Sequence, residues 1–212
     1  MPGCGTLAVS GASRGSASYM TPHGGIIANR VDRGPSVSMS GSRGPRPERP
    51  FRWLSSRTEP AVPAVTCGGW SSRLVAAGFR VIAVDHHGNN YVDGYEPEGF
   101  LFVWERPRDL TFVLDVLADE QPHGPVGAAG FSVGGYTLAA LAGARLDPQR
   151  VAAALTGRAP LPLIPEFPGV LAALRQKVSE DIISAAVNAA GADASDSRVR
   201  AAFQVAPVSA RC

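Results

Sequence analysis

The run Gly130-Phe131-Ser132-Val133-Gly134, with Gly135 behind it, constrains this chain more than any other stretch. It matches G-x-S-x-G, and its surroundings are those of a strand turning into a helix. "PVGAAGF" is short, apolar and uncharged, as a buried strand reads, and "VGGYTLAALAGARL" has the length and composition of a helix. The reason for the glycines is steric. A serine at the apex of so sharp a turn brings the backbone on its two sides together, and glycine two before and two after leaves the room. The turn lifts the hydroxyl above the C-terminal edge of a sheet. It also aims the N–H of Val133, at the helix start, at any negative charge developing beside it. Ser132 is thus a candidate nucleophile and Val133 a candidate oxyanion donor. A bare G-x-S-x-G is also a common tight connection, and it is the strand before and the helix after that favour the catalytic reading.

The same alternation extends on both sides. "WSSRLVAAG" sets Leu74, Val75 and Ala77 on one helical face and stops at Gly78, a C-cap residue. "FRVIAVD", Phe79 to Asp85, is a short β-branched run that reads as a buried parallel strand. A loop dense in turn formers follows, "HHGNNYVDGYEPEG". In "WERPRDLTFVLDVLADE", Leu110, Val113, Leu114 and Leu117 recur at i, i+3, i+4 and i+7, which predicts a helix. Residues 155 to 168 carry Pro160, Pro162, Pro165 and Pro168 and read as an irregular excursion, and the Pro and Leu of residues 157 to 170 suggest an apolar wall. Gly169 to Gly191 is the longest helical pattern, and Val199 to Pro207 reads as a third buried strand. Strand and helix alternating at this spacing predict an α/β fold with a mostly parallel sheet and crossover helices.

Composition divides the chain. Residues 1 to 66 are rich in Gly, Ser, Pro and Arg, with eight Arg against Asp32, Glu48 and Glu59, a balance of +5. Residues 67 to 212 hold 12 basic and 15 acidic residues, a balance of −3. Neither helix nor strand period shows in the first part, and such a composition buries too little apolar surface to offset the entropy of ordering. The expected organisation is a low-complexity, disordered segment over 1–68 and a partial α/β domain over 69–212. A net charge of +2 lacks the basic stripe of a nucleic-acid binder. Cys4, Cys67 and Cys212 form neither a disulfide framework nor a metal-ligand spacing. No apolar run reaches the length of a membrane span and no signal peptide opens the chain, so a cytoplasmic location is the default expectation.

The segments "AAGFRVIAVDHHGNN", "ERPRDLTFVLDVL", "GAAGFSVGGYTLAALAGARLD" and "DSRVRAAFQVAP" together resemble the dienelactone hydrolase-like members of the α/β-hydrolase superfamily, which have relatives among the platelet-activating-factor acetylhydrolases. The resemblance covers roughly residues 70 to 207. It implies an α/β-hydrolase-type fold, hydrolysis of a small-molecule carboxylic ester through an acyl-enzyme on Ser132, the Val133 N–H as one oxyanion donor, and no metal or organic cofactor. Two features depart from that family's pattern. Its second oxyanion donor comes from a His-Gly-x-Gly-Gly loop one strand earlier, where this chain offers "AVPAVTCGGW", with Ala64 to Thr66 as strand and no His. "TPHGGII" has the right letters some 50 residues too early. An altered reading frame or mis-called start ahead of Trp70 is the expectation that follows.

The second departure concerns the base. The superfamily's triad runs Ser, then Asp or Glu, then His, and no His follows His123 here. The sheet is therefore expected to be incomplete at its C-terminal end. Asp181, Asp193 and Asp196 precede the last strand and read as surface residues of helix and loop. His86 and His87 stand at the end of the strand Phe79 to Asp85, at the same sheet edge as Ser132. One strand lies between in the superfamily's order, a gap of roughly 10 Å, against the ~3 Å a general base needs. They are expected to order their loop and line the pocket. His123 belongs to the opposite edge. A second reading is therefore a catalytically inactive hydrolase fragment. A third, a nucleotide-dependent oxidoreductase built on "LAVSGASRGSA", fails. Ser10 and Ala17 break the phosphate-binding pattern, no helical run follows, and the sole lysine, Lys177, has Ala173 where a Tyr-x-x-x-Lys pair needs tyrosine. Oligomeric state is not encoded in any motif.

Overall fold

The computed structural model describes residues 25–28, 37–42, 52–56, 73–74, 77, 79–90, 94–120 and 125–205. Eight strands are described: β1 (Gly25–Ala28), β2 (Val37–Ser42), β3 (Arg52–Ser56), β4 (Arg80–Asp85), β5 (Asn89–Asn90), β6 (Gly94–Tyr95), β7 (Val126–Phe131) and β8 (Val199–Val205). The helices are α1 (Pro97–Leu101), α2 (Arg106–Glu120), α3 (Val133–Leu141), α4 (Pro148–Leu155), α5 (Val170–Lys177) and α6 (Glu180–Ala189). Six strands form one sheet in the order β1-β2-β4-β3-β7-β8. The pairs β4–β3, β3–β7 and β7–β8 are parallel, and β1 and β2 extend the sheet antiparallel. This is an α/β fold with a mostly parallel sheet and crossover helices.

Three strands come from the segment for which composition predicts no regular element, and β3 takes a central place between β4 and β7. Together they account for fifteen residues of that segment. Strand pairing satisfies backbone N–H and C=O groups whatever the side-chain pattern, so composition misses a strand held by two neighbours. The rest of 1–68 lies outside the described residues, including Ala64 to Thr66, the expected strand, and the division at residue 68 stays a proposal. Gly25 to Ile27 of "TPHGGII" belong to β1, the outermost strand, four places from β7.

The sheet and two helices share a core. Ile82 and Val84 of β4, Leu110, Val113 and Leu114 of α2, Val126 and Ala128 of β7, and Leu138 and Leu141 of α3 form one buried cluster. Leu110, Val113 and Leu114 of the helical stripe read in the sequence thus lie on the face that packs. A second cluster joins Phe100, Leu101 and Trp104 to Leu155, Val170, Leu174 and Val187. The proline-rich excursion packs on it through Leu161, Ile164 and Phe167, with the Phe167 ring edge-on to Phe100 at 5.5 Å, while Leu163 faces solvent.

The long helical pattern from Gly169 to Gly191 is two helices, not one. Val178 and Ser179 are extended, and Ser179 is the N-cap residue of α6, with Glu180 and Asp181 in its first turn. Acidic residues there suit the positive end of the helix dipole, so a second start signal sits inside the apolar period. Between β4 and α1 the chain doubles back on itself. Gly88, at φ +66, faces Gly99 so closely that a Cβ on Gly88 would stand 2.7 Å from the Glu96 Cβ, and one on Gly99 would strike the Gly88 carbonyl.

Candidate active site

Ser132 sits between β7 and α3 with φ 56 and ψ −120, and it is the only non-glycine residue at positive φ among the described residues. A backbone held there is strained by about 1–3 kcal/mol and persists only where its surroundings fix it. Those surroundings are identifiable. A Cβ on Gly130 would run into the Gly134 carbonyl, which is the close approach the motif predicts. The Ser132 N–H donates to the Val205 carbonyl at 3.0 Å, and the Gly135 N–H donates to the Ser132 carbonyl at 2.9 Å. The serine N–H is therefore engaged. Val133 opens the helix, so its own N–H has no acceptor within the helix and stands at the positive end of the helix dipole.

His86 follows β4 and its side chain turns inward. It is 2% exposed, and its Nδ1 lies 2.6 Å from Asp109 Oδ2 on α2. A carboxylate only accepts, so Nδ1 carries the proton and donates. Burial, with a smaller push from the Arg106 guanidinium, holds the imidazole well below its usual 6.5, so it is neutral at neutral pH. Arg106 is itself 2% exposed, and its Nε donates to the Thr137 hydroxyl of α3 at 3.3 Å. Burial pulls its pKa down to about 9 while Asp109 opposes the fall, and the guanidinium stays cationic at neutral pH. The Thr137 hydroxyl in turn donates to the Val133 carbonyl at 3.1 Å. His86, Asp109, Arg106 and Thr137 thus link the loop after β4 to α2 and α3 in one buried polar line. His87 is half-buried.

The register sets the spacing between these groups. Ser56 of β3 pairs with Val84 on one side and Gly130 on the other, and His86 and Ser132 each stand two residues beyond those positions. They are therefore level along the sheet and two strand spacings apart, roughly 10 Å. Strand β3 lies between the two strands that lead to them. Asp196 departs from expectation: it is buried, accepts from the Arg198 backbone N–H at 3.0 Å and from its guanidinium at 2.6 Å, and its N–H is bound to the Leu141 carbonyl. The Arg198 bonds hold its carboxyl below the usual range. It pins the chain ahead of β8 to the end of α3. His123 and the loop after β3 lie outside the described residues. Among the described residues no group of three or more His, Cys, Asp or Glu is placed to hold a metal, and no helix is long and apolar enough to cross a membrane.

Sequence reasoning missed the Arg106–Asp109 part of this line, yet a signal was present. Arg106 and Asp109 fall at i and i+3 ahead of Leu110 and Val113, so they continue the apolar stripe of α2 with charge. Charged residues on a core-facing stripe require buried partners.

No family model matches the chain, and no curated protein matches it. Among solved structures it is similar to a probable hydrolytic enzyme from Pseudomonas aeruginosa, at 18% identity over 66% of this chain and 40% of that one, TM-score 0.42. It is similar to the α/β hydrolase domain-containing protein 10 from mouse, at 17% identity over 56% and 44%, TM-score 0.38. It is also similar to an α/β serine hydrolase homologue from Coxiella burnetii, at 15% identity over 91% and 90%, TM-score 0.44. The chain spans less than half the length of the first two. At these identities and TM-scores the likeness decides neither reaction nor substrate.

Proposed function

We propose that this chain is a serine hydrolase of small carboxylic esters, of the dienelactone hydrolase-like type, working through an acyl-enzyme on Ser132. One observation carries the reading: a non-glycine residue held at φ 56 between strand and helix is a serine, in the motif that needs that conformation. In the reaction the Ser132 Oγ bonds to the ester carbonyl carbon as its proton leaves to a base. The carbonyl oxygen takes the negative charge and faces the Val133 N–H. Collapse breaks the bond to the alcohol oxygen, which takes up the proton, and water then releases the acid from the serine. No cofactor enters these steps.

A second reading is favoured by a specific observation. His86, the histidine best placed along the sheet, is bonded to Asp109 and stands two strands from Ser132. On this reading no base stands at the serine among the described residues, and the protein is catalytically silent. One experiment separates the readings. A fluorophosphonate probe is expected to label Ser132 alone, and labelling that survives Ser132→Ala rules out the assignment. Loss of the triad's nucleophile or histidine costs on the order of a million-fold in kcat. The silent reading therefore expects nitrophenyl acetate hydrolysis near background that added imidazole raises above imidazole's own rate with the parent but not with Ser132→Ala. Rapid turnover without imidazole, abolished by Ser132→Ala, contradicts it.

A further inference from the structure

We infer that Gln204 is a positioning residue for the oxyanion donor, holding the first turn of α3, and with it the Val133 N–H, against β8. This rests on Ser132 and Val133 having the roles proposed above. The Val133 N–H and the Ser132 carbonyl belong to one planar peptide unit and point in opposite directions. Whatever fixes that carbonyl aims the donor. The carbonyl is held by the Gly135 N–H at 2.9 Å. Gly135 has no side chain to hold it in turn, and two consecutive glycines in a helix cost about 1 kcal/mol each in stability. Gln204 supplies the hold from outside, because its Nε2 donates to the Gly135 carbonyl at 2.8 Å.

The placement of Gln204 suits that task. It pairs with Gly130 across β7–β8, directly beside the turn, and the next residue, Val205, accepts the Ser132 N–H. From the other side Thr137 holds the Val133 carbonyl, backed by Arg106. The carbonyls of Ser132, Val133 and Gly135 are thus each held by a named donor. Gln204 is the donor of that set that lies on neither α2 nor α3, and together with the Val205 carbonyl it fixes the turn to the edge of the sheet.

The variants Gln204→Glu, of the same shape with an acceptor for a donor, and Gln204→Met, of similar bulk with neither, test this. Fluorophosphonate labelling of Ser132 is resolved into an inactivation rate and a binding constant. Both variants are expected to lower the rate about tenfold and to change the binding constant by less than about twofold, as misplacement of a charge-stabilising donor does. In parallel, amide exchange at Gly135 is expected to quicken about tenfold, with a shifted Val133 amide resonance, while the melting temperature stays within a few degrees. If the two variants leave inactivation rate, Gly135 exchange and the Val133 resonance as in the parent, the inference is overturned and the Ser132 assignment stands. If Ser132→Ala still labels, the assignment itself falls. Should Gln204→Glu fail to fold, Gln204→Met carries the test, and the exchange measurement needs no reactivity at all.

Discussion

At the scale of single residues, the buried His86 imposes a pH dependence whose sign follows from its environment. Its folded pKa lies well below 6.5, the value it regains on unfolding. Between those two values the unfolded chain binds the extra proton, so stability rises with pH through that window and is lost as pH falls below about 6.5. Denaturant midpoints between pH 5 and 8 should show this slope, and His86→Gln should flatten it even if it lowers stability overall. A midpoint independent of pH below 6.5 would show that the imidazole is solvated in the folded protein. The turn at Ser132 was legible in the sequence because the glycines that leave room for it, Gly130, Gly134 and Gly135, lie within three residues of it. His86 was legible as a candidate but not as a buried partner of Asp109, since that contact spans 23 residues.

Among the elements, α2 and α5 make opposite claims on stability. Leu110 is fully buried at the centre of the sheet-facing cluster. Leu110→Ala removes its contacts and leaves a cavity, a loss of about 2–5 kcal/mol in denaturant unfolding. Lys177 at the end of α5 pairs with Glu96 and Glu98, but all three side chains remain a quarter to a half exposed. Lys177→Ala is expected to cost less than about 1 kcal/mol, shrinking further in high salt. A larger loss would mean that the ion pairs, rather than the apolar contacts among Phe100, Val170 and Leu174, dock α5 on α1. Period alone foresaw α2 because Leu110, Val113 and Leu114 recur on one face of it and are buried there. It merged α5 with α6 because the apolar period runs through Val178 and only the polar residues after it mark the break. It passed over α4, whose start is written in a cap, Asp147 accepting from the Gln149 N–H with Pro148 between.

Over the whole molecule, β8 closes the described sheet, and Phe203 and Val205 on it are 51% and 44% exposed. Strands of that kind template pairing with further chains unless charge blocks them. Sedimentation at rising concentration should therefore show self-association that Val205→Lys weakens severalfold, and a monomer at every concentration would show the edge to be covered. The place of β3 has a consequence for the time the chain needs to reach this state. It precedes β4 in sequence yet lies between β4 and β7, and β7 begins some 70 residues after β3 ends. The sheet therefore cannot zip up from neighbour to neighbour along the chain. A long loop must close before the central pairings reward it, which sets folding toward the slow, millisecond-to-second end of the range for domains and leaves β3 and β7 exposed while they wait.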